Sequence, residues 1–223
     1  MKIRIRFSKQ GQMKFIGHLD MVRYFQKVMR RAQVDVAYSE GFSPHQKMSF
    51  AAPLSVGAIS RGEYFDLEVN GTKSSMEMIA RINAQNVEGV EVLSYKLLPD
   101  DAKNAMSIVA GADYMVYNND FSQEIFEKFM AQDEIIVLKK TKKSEKAVNI
   151  RPMIFGMHLC ESGVFMQVSQ GSAANLKPEL VMSALAEFAG VKLPEFMTYE
   201  RMDLYCLEKE KLVSLDQIGS VIE

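Results

Sequence analysis

Residues 17–51 read GHLDMVRYFQKVMRRAQVDVAYSEGFSPHQKMSFA and join an amphipathic helix to a glycine-containing turn. In the first part of this stretch, apolar side chains recur at steps of three and four residues, which is the spacing of one face of an α-helix. The apolar positions are Leu19, Val22, Phe25, Met29 and Ala32. The stretch therefore predicts a helix that packs this face against a hydrophobic core.

The opposite side of the predicted helix is basic. Four cations are spaced three or four residues apart, so their charges lie along one side instead of dispersing. They are Arg23, Lys27, Arg30 and Arg31. We call these four residues the basic face and predict that they bind a polyanion. Asp20 falls in the first turn, where a carboxylate interacts favourably with the helix dipole. A capping role is therefore one interpretation of Asp20, and a role in proton transfer is the alternative.

The turn after the helix carries His45, the second of three histidines. Gly41 allows a positive φ, and Pro44 fixes φ immediately before His45, so the turn is held stiffly. A stiff loop loses little entropy when its side chains bind a ligand. The predicted binding residues of this turn are Ser39, Glu40, His45 and Lys47. The alternative is a tight turn whose histidine hydrogen-bonds only its own loop. We expect His18, His45 and the basic face to border one hollow.

Composition limits the classes of protein that this chain resembles. A hydrophobic fraction of 48% and a charged fraction of 25% over 223 residues are typical of a soluble globular protein. With a net charge of -1, no global field draws the molecule to nucleic acid, so such binding needs a local patch. Cys160 and Cys206 form no close pair, which favours a reduced, cytoplasmic setting. The N-terminus is a charged strand, so we expect neither a signal peptide nor a membrane anchor.

The order of predicted elements indicates the fold. Residues 2–7 alternate apolar and basic side chains, as in a half-buried strand. Further strands are predicted at residues 62–69 and 90–97, with a helix at residues 76–82 between them. With the stretch 17–51 this gives the order β-α-β-β-α-β, which is typical of the ferredoxin-like fold.

A polar connector at residues 99–104 separates this half from a second one in which the same order begins again. The sequence therefore predicts an α+β fold of two ferredoxin-like (βαββαβ) halves packed side by side. The N-terminal domain is predicted at residues 1–99 and contains the GHLD and SEGFSPH motifs. The C-terminal domain is predicted at residues 105–223 and contains a basic hairpin loop and a charged tail after Glu208.

The cations of the first strand have two interpretations. Lys2, Arg4 and Arg6 share one face of the strand, and single-strand RNA-binding sheets offer cations in this way. The first and third strands of the ferredoxin-like topology are neighbours, however, so Asp66 and Glu68 can pair with those cations across the sheet. We favour cross-strand neutralisation, because opposite-charge pairs are ordinary in sheets.

A second basic run, KKTKKSEK, occupies residues 139–146 and is followed by Arg151. At the tip of a hairpin these cations contact several phosphates at once, with an affinity that depends on salt. The predicted nucleic-acid-binding residues of this segment are Lys140, Lys142, Lys143 and Arg151. The alternative is a solvated turn, which is what charge runs usually form.

Metal and nucleophile motifs are incomplete. His158 and Cys160 share one strand face, but no CxxC or HExxH spacing ties them to further ligands, so we predict no metal and no cofactor. Ser39 and Ser43 lie near His45 without the glycine-flanked elbow of a nucleophilic serine. Acid–base cleavage of RNA needs no metal and only one or two placed groups. The candidates for that chemistry are His18, His45 and Asp20.

Several short segments resemble the radical-SAM-linked family, a bacterial domain of unknown function. They read RFSK at residues 6–9, FIGHLD at 15–20, RRA at 30–32, AYSEGFSPH at 37–45, EYFD at 63–66 and NIRP at 149–152. That family occurs fused behind a radical SAM enzyme or as a separate neighbouring chain, and this sequence resembles the separate form. It departs from the common pattern at Ser43 and Gln46, where the family has Asn and Pro.

The resemblance implies a partner more than a reaction. A radical SAM enzyme holds its iron–sulfur cluster with three closely spaced cysteines, which this chain does not contain. We therefore favour an accessory or substrate-presenting module that is not catalytic on its own and binds RNA beside such an enzyme. The alternatives are a stand-alone, metal-independent RNA-processing enzyme, by analogy of fold with CRISPR RNA endonucleases, and a pure protein-interaction scaffold.

Overall fold

The structure, a computed structural model, describes residues 1–117, 121–140 and 145–223, with backbone alone at 139, 140 and 145. The first half begins with a strand and a helix that are joined by a short 3-10 turn at Gly11–Phe15. Its elements are β1 (Lys2–Lys9), α1 (His18–Arg31), β2 (Met48–Phe50), β3 (Ile59–Glu68), α2 (Ser75–Asn83) and β4 (Val90–Leu97).

The second half follows the connector after β4. Its elements are α3 (Ala105–Ile108), β5 (Val109–Val116), α4 (Gln123–Met130), β6 (Ile136–Lys140), β7 (Glu145–Asn149), β8 (Ile154–Cys160), β9 (Gly163–Ser169), α5 (Pro178–Ala189), β10 (Tyr199–Glu208) and β11 (Lys211–Ser214). Gly190 ends α5 in the left-handed region, with φ 67°, as the glycine C-cap of a helix commonly does.

One large mixed sheet connects both halves. Within the described ranges it has nine strands, in the order β4-β1-β3-β10-β5-β9-β8, with β2 added beside β3 and β11 beside β10. Its pairs are antiparallel except where β3 meets β10, at Ile59 with Glu200 and Ser60 with Arg201. β6 and β7 form a separate hairpin. The predicted mixture of helices and strands is confirmed, and the two halves share this sheet.

The core of the first half lies between α1, α2 and one face of the sheet. Phe7, Phe25, Phe50 and Phe65 are all buried, and neighbouring rings lie 4.7–6.0 Å apart between centroids. Contacts of this kind contribute roughly 0.5–1.5 kcal/mol per pair beyond the burial of apolar area. The aromatic group fixes α1 on the sheet and therefore fixes the position of the turn that follows it.

The apolar face of α1 differs from the predicted one at its start. The buried residues are Met21, Phe25, Val28 and Met29, followed by Ala32 at the C-cap. Leu19, which we predicted to be in the core, is 70% exposed. The reason is geometric: steps of three and four back from Phe25 reach both Met21 and Val22, and the sheet lies on the Met21 side. Leu19 lies three residues before Val22, on the same side of the helix, and therefore points away from the sheet.

Cross-strand neutralisation is confirmed for Arg4. Its Nε and Nη2 donate to the two oxygens of Asp66, at 2.8 and 3.0 Å, and Arg4 is 2% exposed. Lys2 instead donates to the backbone carbonyls of Asp100 and Ala102. Glu68 pairs with Lys47 at 3.0 Å. The predicted charge pairing is therefore confirmed for Arg4 with Asp66. Lys2 and Glu68 instead interact with other residues.

A second buried ion pair joins the halves. Arg201 of β10 is fully buried, and its Nε donates to Glu63 Oε1 at 2.7 Å while Nη2 donates to Oε2 of the same carboxylate. The remaining donor capacity goes to the carbonyls of Ala52 and Pro53 and to the hydroxyl of Tyr114. Burial acts to lower the pKa of Arg201, but Glu63 and Tyr114 together outweigh it and raise the pKa above the ordinary value. The guanidinium therefore stays charged.

Among the residues that the structure describes, no helix combines the length and the apolarity needed to cross a lipid bilayer.

We expect Arg201→Met to lower the free energy of unfolding by about 3–5 kcal/mol, because it leaves the Glu63 carboxylate buried without its cation. Urea unfolding followed by circular dichroism measures the change. Lys73→Ala, which breaks the exposed Lys73–Glu77 pair, serves as the control and should cost less than about 1 kcal/mol. The double variant Glu63→Leu/Arg201→Met should recover part of the loss, since it removes both charges. Equal losses in Arg201→Met and Lys73→Ala would contradict the argument.

Candidate functional site

A cavity of about 390 Å³ opens beside β2 and contains His45, and we call it the His45 cavity. β2 lies antiparallel to β3, with Ser49 opposite Asp66 and Phe50 opposite Phe65. Since side chains alternate along a strand, Phe50 enters the aromatic core while Ser49 lines the cavity beside Asp66. The sequence of β2 therefore determines which side chains face the cavity.

The connector after β4 closes one side of the His45 cavity. Ala102 and Asn104 line it, and the Ser49 hydroxyl donates to Asn104 Oδ1 at 3.2 Å. Asn104 also caps α3 by accepting from the backbone N–H of Met106. The Asp66 carboxylate, already paired with Arg4, accepts a further bond from the backbone N–H of Ala105 at 2.7 Å. At the floor of the cavity, the Asp66 carboxylate is therefore held by three hydrogen bonds, two from Arg4 and one from Ala105, while Arg4 Nη1 has no partner in the described part of the chain.

Ser39 braces the loop that carries His45. Its hydroxyl accepts from the backbone N–H of His45 at 3.0 Å and lies 2.8 Å from His45 Nδ1. The backbone N–H of Ser39 donates in turn to the His45 carbonyl. Gly41 at the tip has φ 104°, which a side chain would strain. The alternative prediction, that His45 bonds its own loop, is confirmed, and the same residue also lines the cavity.

This arrangement occupies one ring nitrogen of His45. The Ser39 hydroxyl lies within hydrogen-bond distance of Nδ1, whichever of the two atoms carries the hydrogen. Nε2 is therefore the ring nitrogen that is left for a ligand. Lys47 lies two residues further on and reaches Glu68, with both side chains 43% exposed. Solvent screens an ion pair of this exposure, so an incoming anion can compete with Glu68 for the ammonium.

Gln46 connects the loop to α1 and has unused hydrogen-bonding capacity. It is 6% exposed, and its Nε2 donates to the carbonyl of Gln26 at 3.2 Å. Its Oε1 is buried and has no hydrogen-bond partner in the part of the chain that the structure describes. Gln46 also lines the cavity, so a ligand there could donate a hydrogen bond to Oε1 after the side chain turns towards it.

The basic face of α1 is exposed to solvent, as predicted. Arg23, Lys27, Arg30 and Arg31 all lie on the side of α1 away from the core. Arg23 pairs with Asp20 at 3.2 Å, and both side chains are more than 60% exposed. The N-cap of α1 is Gly17, without a side-chain bond, so Asp20 acts in the first turn and not as the cap. The Gln46–Gln26 bond places the His45 loop against the helix that carries the basic face.

His18 lies in a different place. It is the first residue of α1, its ring meets the edge of Phe50 at 5.5 Å, and it lines a small cavity of about 20 Å³ with Lys9 and Glu63. This cavity and the His45 cavity have no lining residue in common. The expectation that both histidines border one hollow is therefore wrong. The reason is that Phe50 of β2 fills the core side of the strand, with His18, while His45 lies on the other side.

Sequence reasoning did not single out Lys9, which is 3% exposed. Its ammonium donates to the carbonyl of Ile16 at 2.7 Å and to that of Lys14. Burial lowers the pKa of Lys9, and the nearby charge of Glu63 opposes the shift only in part. A lysine at the end of a strand gives no signal of burial in the sequence, because its position relative to the following 3-10 turn is set by the fold.

Among the described residues, the predicted Glu40 and Arg151 do not line the His45 cavity. Glu40 is exposed in the loop. Arg151 follows β7 and donates to the carbonyl of Ile154 at 3.4 Å. Lys140 is the last residue of β6, and Lys142 and Lys143 lie outside the described residues.

Across residues 1–117, 121–140 and 145–223, no three His, Cys, Asp or Glu side chains are grouped so that they hold a metal ion. His158 stacks on Phe165, with 4.7 Å between ring centroids.

Replacing Ser39 by alanine should loosen the loop, because it removes both contacts of the hydroxyl with His45. One hydrogen bond contributes about 1 kcal/mol, so we expect the His45 amide to exchange with solvent roughly fivefold to tenfold faster. Hydrogen exchange followed by NMR measures this rate. Ser43→Ala in the same exposed loop is the matched control and should leave it unchanged. The same rate in both variants would show that Ser39 does not brace the loop.

Three comparisons place the chain among known proteins. No curated protein sequence matches it. A chain in the crystal structure of a Cbf5-Nop10-Gar1 complex aligns with a TM-score of 0.48 and 10% sequence identity, over 91% of this chain and 48% of that chain. The chain thus spans about half the length of the solved chain. A family model described as an uncharacterized protein conserved in bacteria (DUF2344) matches residues 2–178. The chain therefore belongs to this bacterial family, DUF2344.

Proposed function

We propose that this chain is an accessory module that binds single-stranded RNA and presents it to a radical SAM enzyme. The observation that carries the RNA part is the contact between the His45 loop and α1, the helix that carries the exposed basic face, through the Gln46 side chain and the Gln26 carbonyl. Because the net charge is -1, this local concentration of cations is what gives the molecule an attraction for phosphates.

Two exposed aromatic rings on the same loop favour a single strand over a duplex. Phe42 is fully exposed at the tip, and Tyr38 is 48% exposed at the start of the loop. An aromatic ring in water offers a face on which an unstacked base can stack, whereas the bases of a duplex are already stacked. The cations on α1 therefore match the phosphates of a nucleotide chain, and the rings on the adjacent loop match its bases.

The His45 cavity supplies the third element of the proposed site. Its volume of about 390 Å³ falls within the range of roughly 300–1,000 Å³ that small ligands occupy. Lys47 and His45 at its rim can donate to a phosphate, and Gln46 Oε1 can accept from a base or a ribose hydroxyl once its side chain turns towards the cavity. We propose that one nucleotide enters this cavity while its neighbours lie along the basic face.

The accessory role rests on the resemblance of the short motifs to the radical-SAM-linked family and on the cysteines. Cys206 is buried in β10, and Cys160 ends β8 in the second half. Two such cysteines do not supply the three closely spaced thiolates that a radical SAM cluster needs. In this proposal the partner enzyme performs the chemistry and this chain holds the substrate. A cytoplasmic location is part of the same proposal.

The strand orders support the ferredoxin-like interpretation of each half. The strands of the first half lie in the order β4-β1-β3-β2, and those of the second in the order β10-β5-β9-β8. In each, the first and third strands are central and all neighbours are antiparallel. We propose that residues 1–99 and 105–223 are two such units, with the connector between them serving as one wall of the His45 cavity.

A stand-alone RNA-processing enzyme is the second candidate, and one observation favours it. The Ser39 contact fixes His45 through Nδ1 and leaves Nε2 for proton transfer, as a general acid or base requires. Cleavage of RNA by the purified chain that disappears in His45→Ala and persists in Ser43→Ala would support this candidate in place of the accessory role.

The triple variant Arg23→Ala/Lys27→Ala/Arg30→Ala should weaken binding to a fluorescently labelled single-stranded RNA by at least about tenfold at low salt. Each phosphate contact on a single strand contributes roughly 0.7 to the slope of log affinity against log salt concentration, so the slope should fall by about 2. Fluorescence anisotropy over a salt series measures both quantities. A variant that removes three exposed lysines of the second half, Lys128, Lys192 and Lys211, has the same net charge and should retain the original slope. Equal losses in both variants would reject the basic face as the binding surface.

The accessory role makes a separate prediction about partners. The full chain, tagged and expressed in a bacterium that encodes it, should co-purify with a protein that carries three closely spaced cysteines, identified by mass spectrometry. Treatment with ribonuclease before elution distinguishes direct contact from contact bridged by RNA. Enrichment no greater than with the tag alone would contradict the accessory role and leave the RNA-binding prediction to be judged by its own experiment.

A further inference from the structure

A second cavity, of about 220 Å³, lies where the two halves meet, and we call it the junction cavity. The segment between β2 and β3 lines one side of it with Pro53, Leu54 and Ala58. The other side comes from the second half, through Tyr114 of β5, Tyr199 of β10 and the first turn of α5. It shares no lining residue with the His45 cavity, so it is independent of the proposed RNA site.

The back wall of the junction cavity is rigid and polar. Tyr114 is 5% exposed and Gln170 is 6% exposed, and the Tyr114 hydroxyl donates to Gln170 Oε1 at 3.2 Å. Arg201 lies behind them, and its Nη1 donates to the Tyr114 hydroxyl and to the carbonyl of Pro53. These groups hold one another in place through the ion pair that joins the halves, so the wall is formed before any ligand arrives.

Glu179, in the first turn of α5, contributes a carboxylate to this cavity. Its Oε2 is buried and, in the ranges that the structure describes, has no hydrogen-bond partner. Tyr199 lines the same cavity, and burial together with the charge of Glu179 raises the pKa of its hydroxyl to about 12. A carboxylate with one oxygen that lacks a donor is unfavourable, and a group in the cavity that donates a hydrogen bond to Glu179 would offset part of that cost.

We propose that the junction cavity binds a small organic cation, a primary amine or a guanidine, with its charged nitrogen at the Glu179 carboxylate. The rings of Tyr114 and Tyr199 favour a cation, because their faces are electronegative. Pro53, Leu54, Ala58 and Pro178 offer apolar contacts to a short alkyl chain. The cavity is smaller than the roughly 300 Å³ at which drug-sized sites begin, so the ligand is small.

The charge of Lys177 at the same cavity is the feature that opposes a cation. Lys177 is the N-cap residue of α5 and is exposed, so its ammonium can turn towards water when a cation enters. An anion would instead meet Lys177 and the helix N-terminus but would bring a second negative charge to the partly buried Glu179. The two possibilities differ in the sign of the ligand's charge, so an experiment with a cationic and an anionic probe distinguishes them.

Isothermal titration calorimetry of the full chain with putrescine dihydrochloride and with agmatine sulfate tests the proposal, with sodium acetate as the anionic probe. We expect saturable binding of one amine per chain, at least tenfold weaker in Glu179→Gln, which keeps the shape of the side chain and removes its charge. Glu187→Gln, on the exposed side of the same helix, is the matched control and should bind as the original chain does. Tyr199→Phe, which removes one hydroxyl, should bind about threefold to tenfold more weakly.

Several outcomes would overturn the proposal. They are saturable binding of acetate in place of the amines, no saturable binding of either amine, and equal affinity in Glu179→Gln and Glu187→Gln. Thermal unfolding of each variant shows that the fold is intact, and Tyr199→Phe provides a second measurement should Glu179→Gln fail to fold. RNA binding by the basic face is expected to be unchanged in all these variants, so failure of one proposal does not imply failure of the other.

Discussion

The buried pair of Arg201 and Glu63 is the interaction on which the arrangement of the two halves depends. A guanidinium taken out of water is stable only when its donors are paired, and here they are used on a carboxylate, two backbone carbonyls and a phenol. These acceptors come from both halves. The segment that contains Ala52 and Pro53 is thereby held against β10, and the parallel contact between β3 and β10 lies beside it. The close approach is tight enough that a Cβ at Gly62 would lie 2.4 Å from the Met202 carbonyl oxygen.

The two proposed binding regions differ in the groups that form them. On one side of the molecule, the alternation along β2 places aromatic residues in the core and polar residues in the His45 cavity. At the junction of the halves, the groups bound to Arg201 form the wall of a second cavity that contains Glu179. The first region combines exposed cations with exposed rings, which suits a flexible polyanion. The second combines buried acceptors with a small volume, which suits a small cation. Their opposite electrostatic character argues for two ligands.

Patterns with local causes were predicted well. The amphipathic helix, the glycine-containing turn and the pairing of Arg4 with Asp66 all follow from the spacing of residues in the sequence and from strand neighbours. Predictions that needed the position of a distant element were less successful. Leu19 is exposed because the sheet lies on the Met21 side of α1, and His18 is separated from His45 by Phe50. Gln46 and Glu179 gave no signal at all, since an amide or carboxylate without a partner is defined only by what surrounds it.

The sequence by itself determined the mixture of helices and strands, the basic face of α1 and the stiff loop that carries His45, because periodicity, charge spacing and backbone preference act over a few residues. The tertiary structure decided which histidine lines a cavity, how the halves share one sheet and where Arg201 finds its partners. Those outcomes depend on contacts between residues up to 149 positions apart, as between Arg201 and Ala52. The physical reason is that desolvation penalises an unpaired charge wherever it is buried, and only the complete fold specifies which distant groups are brought to it.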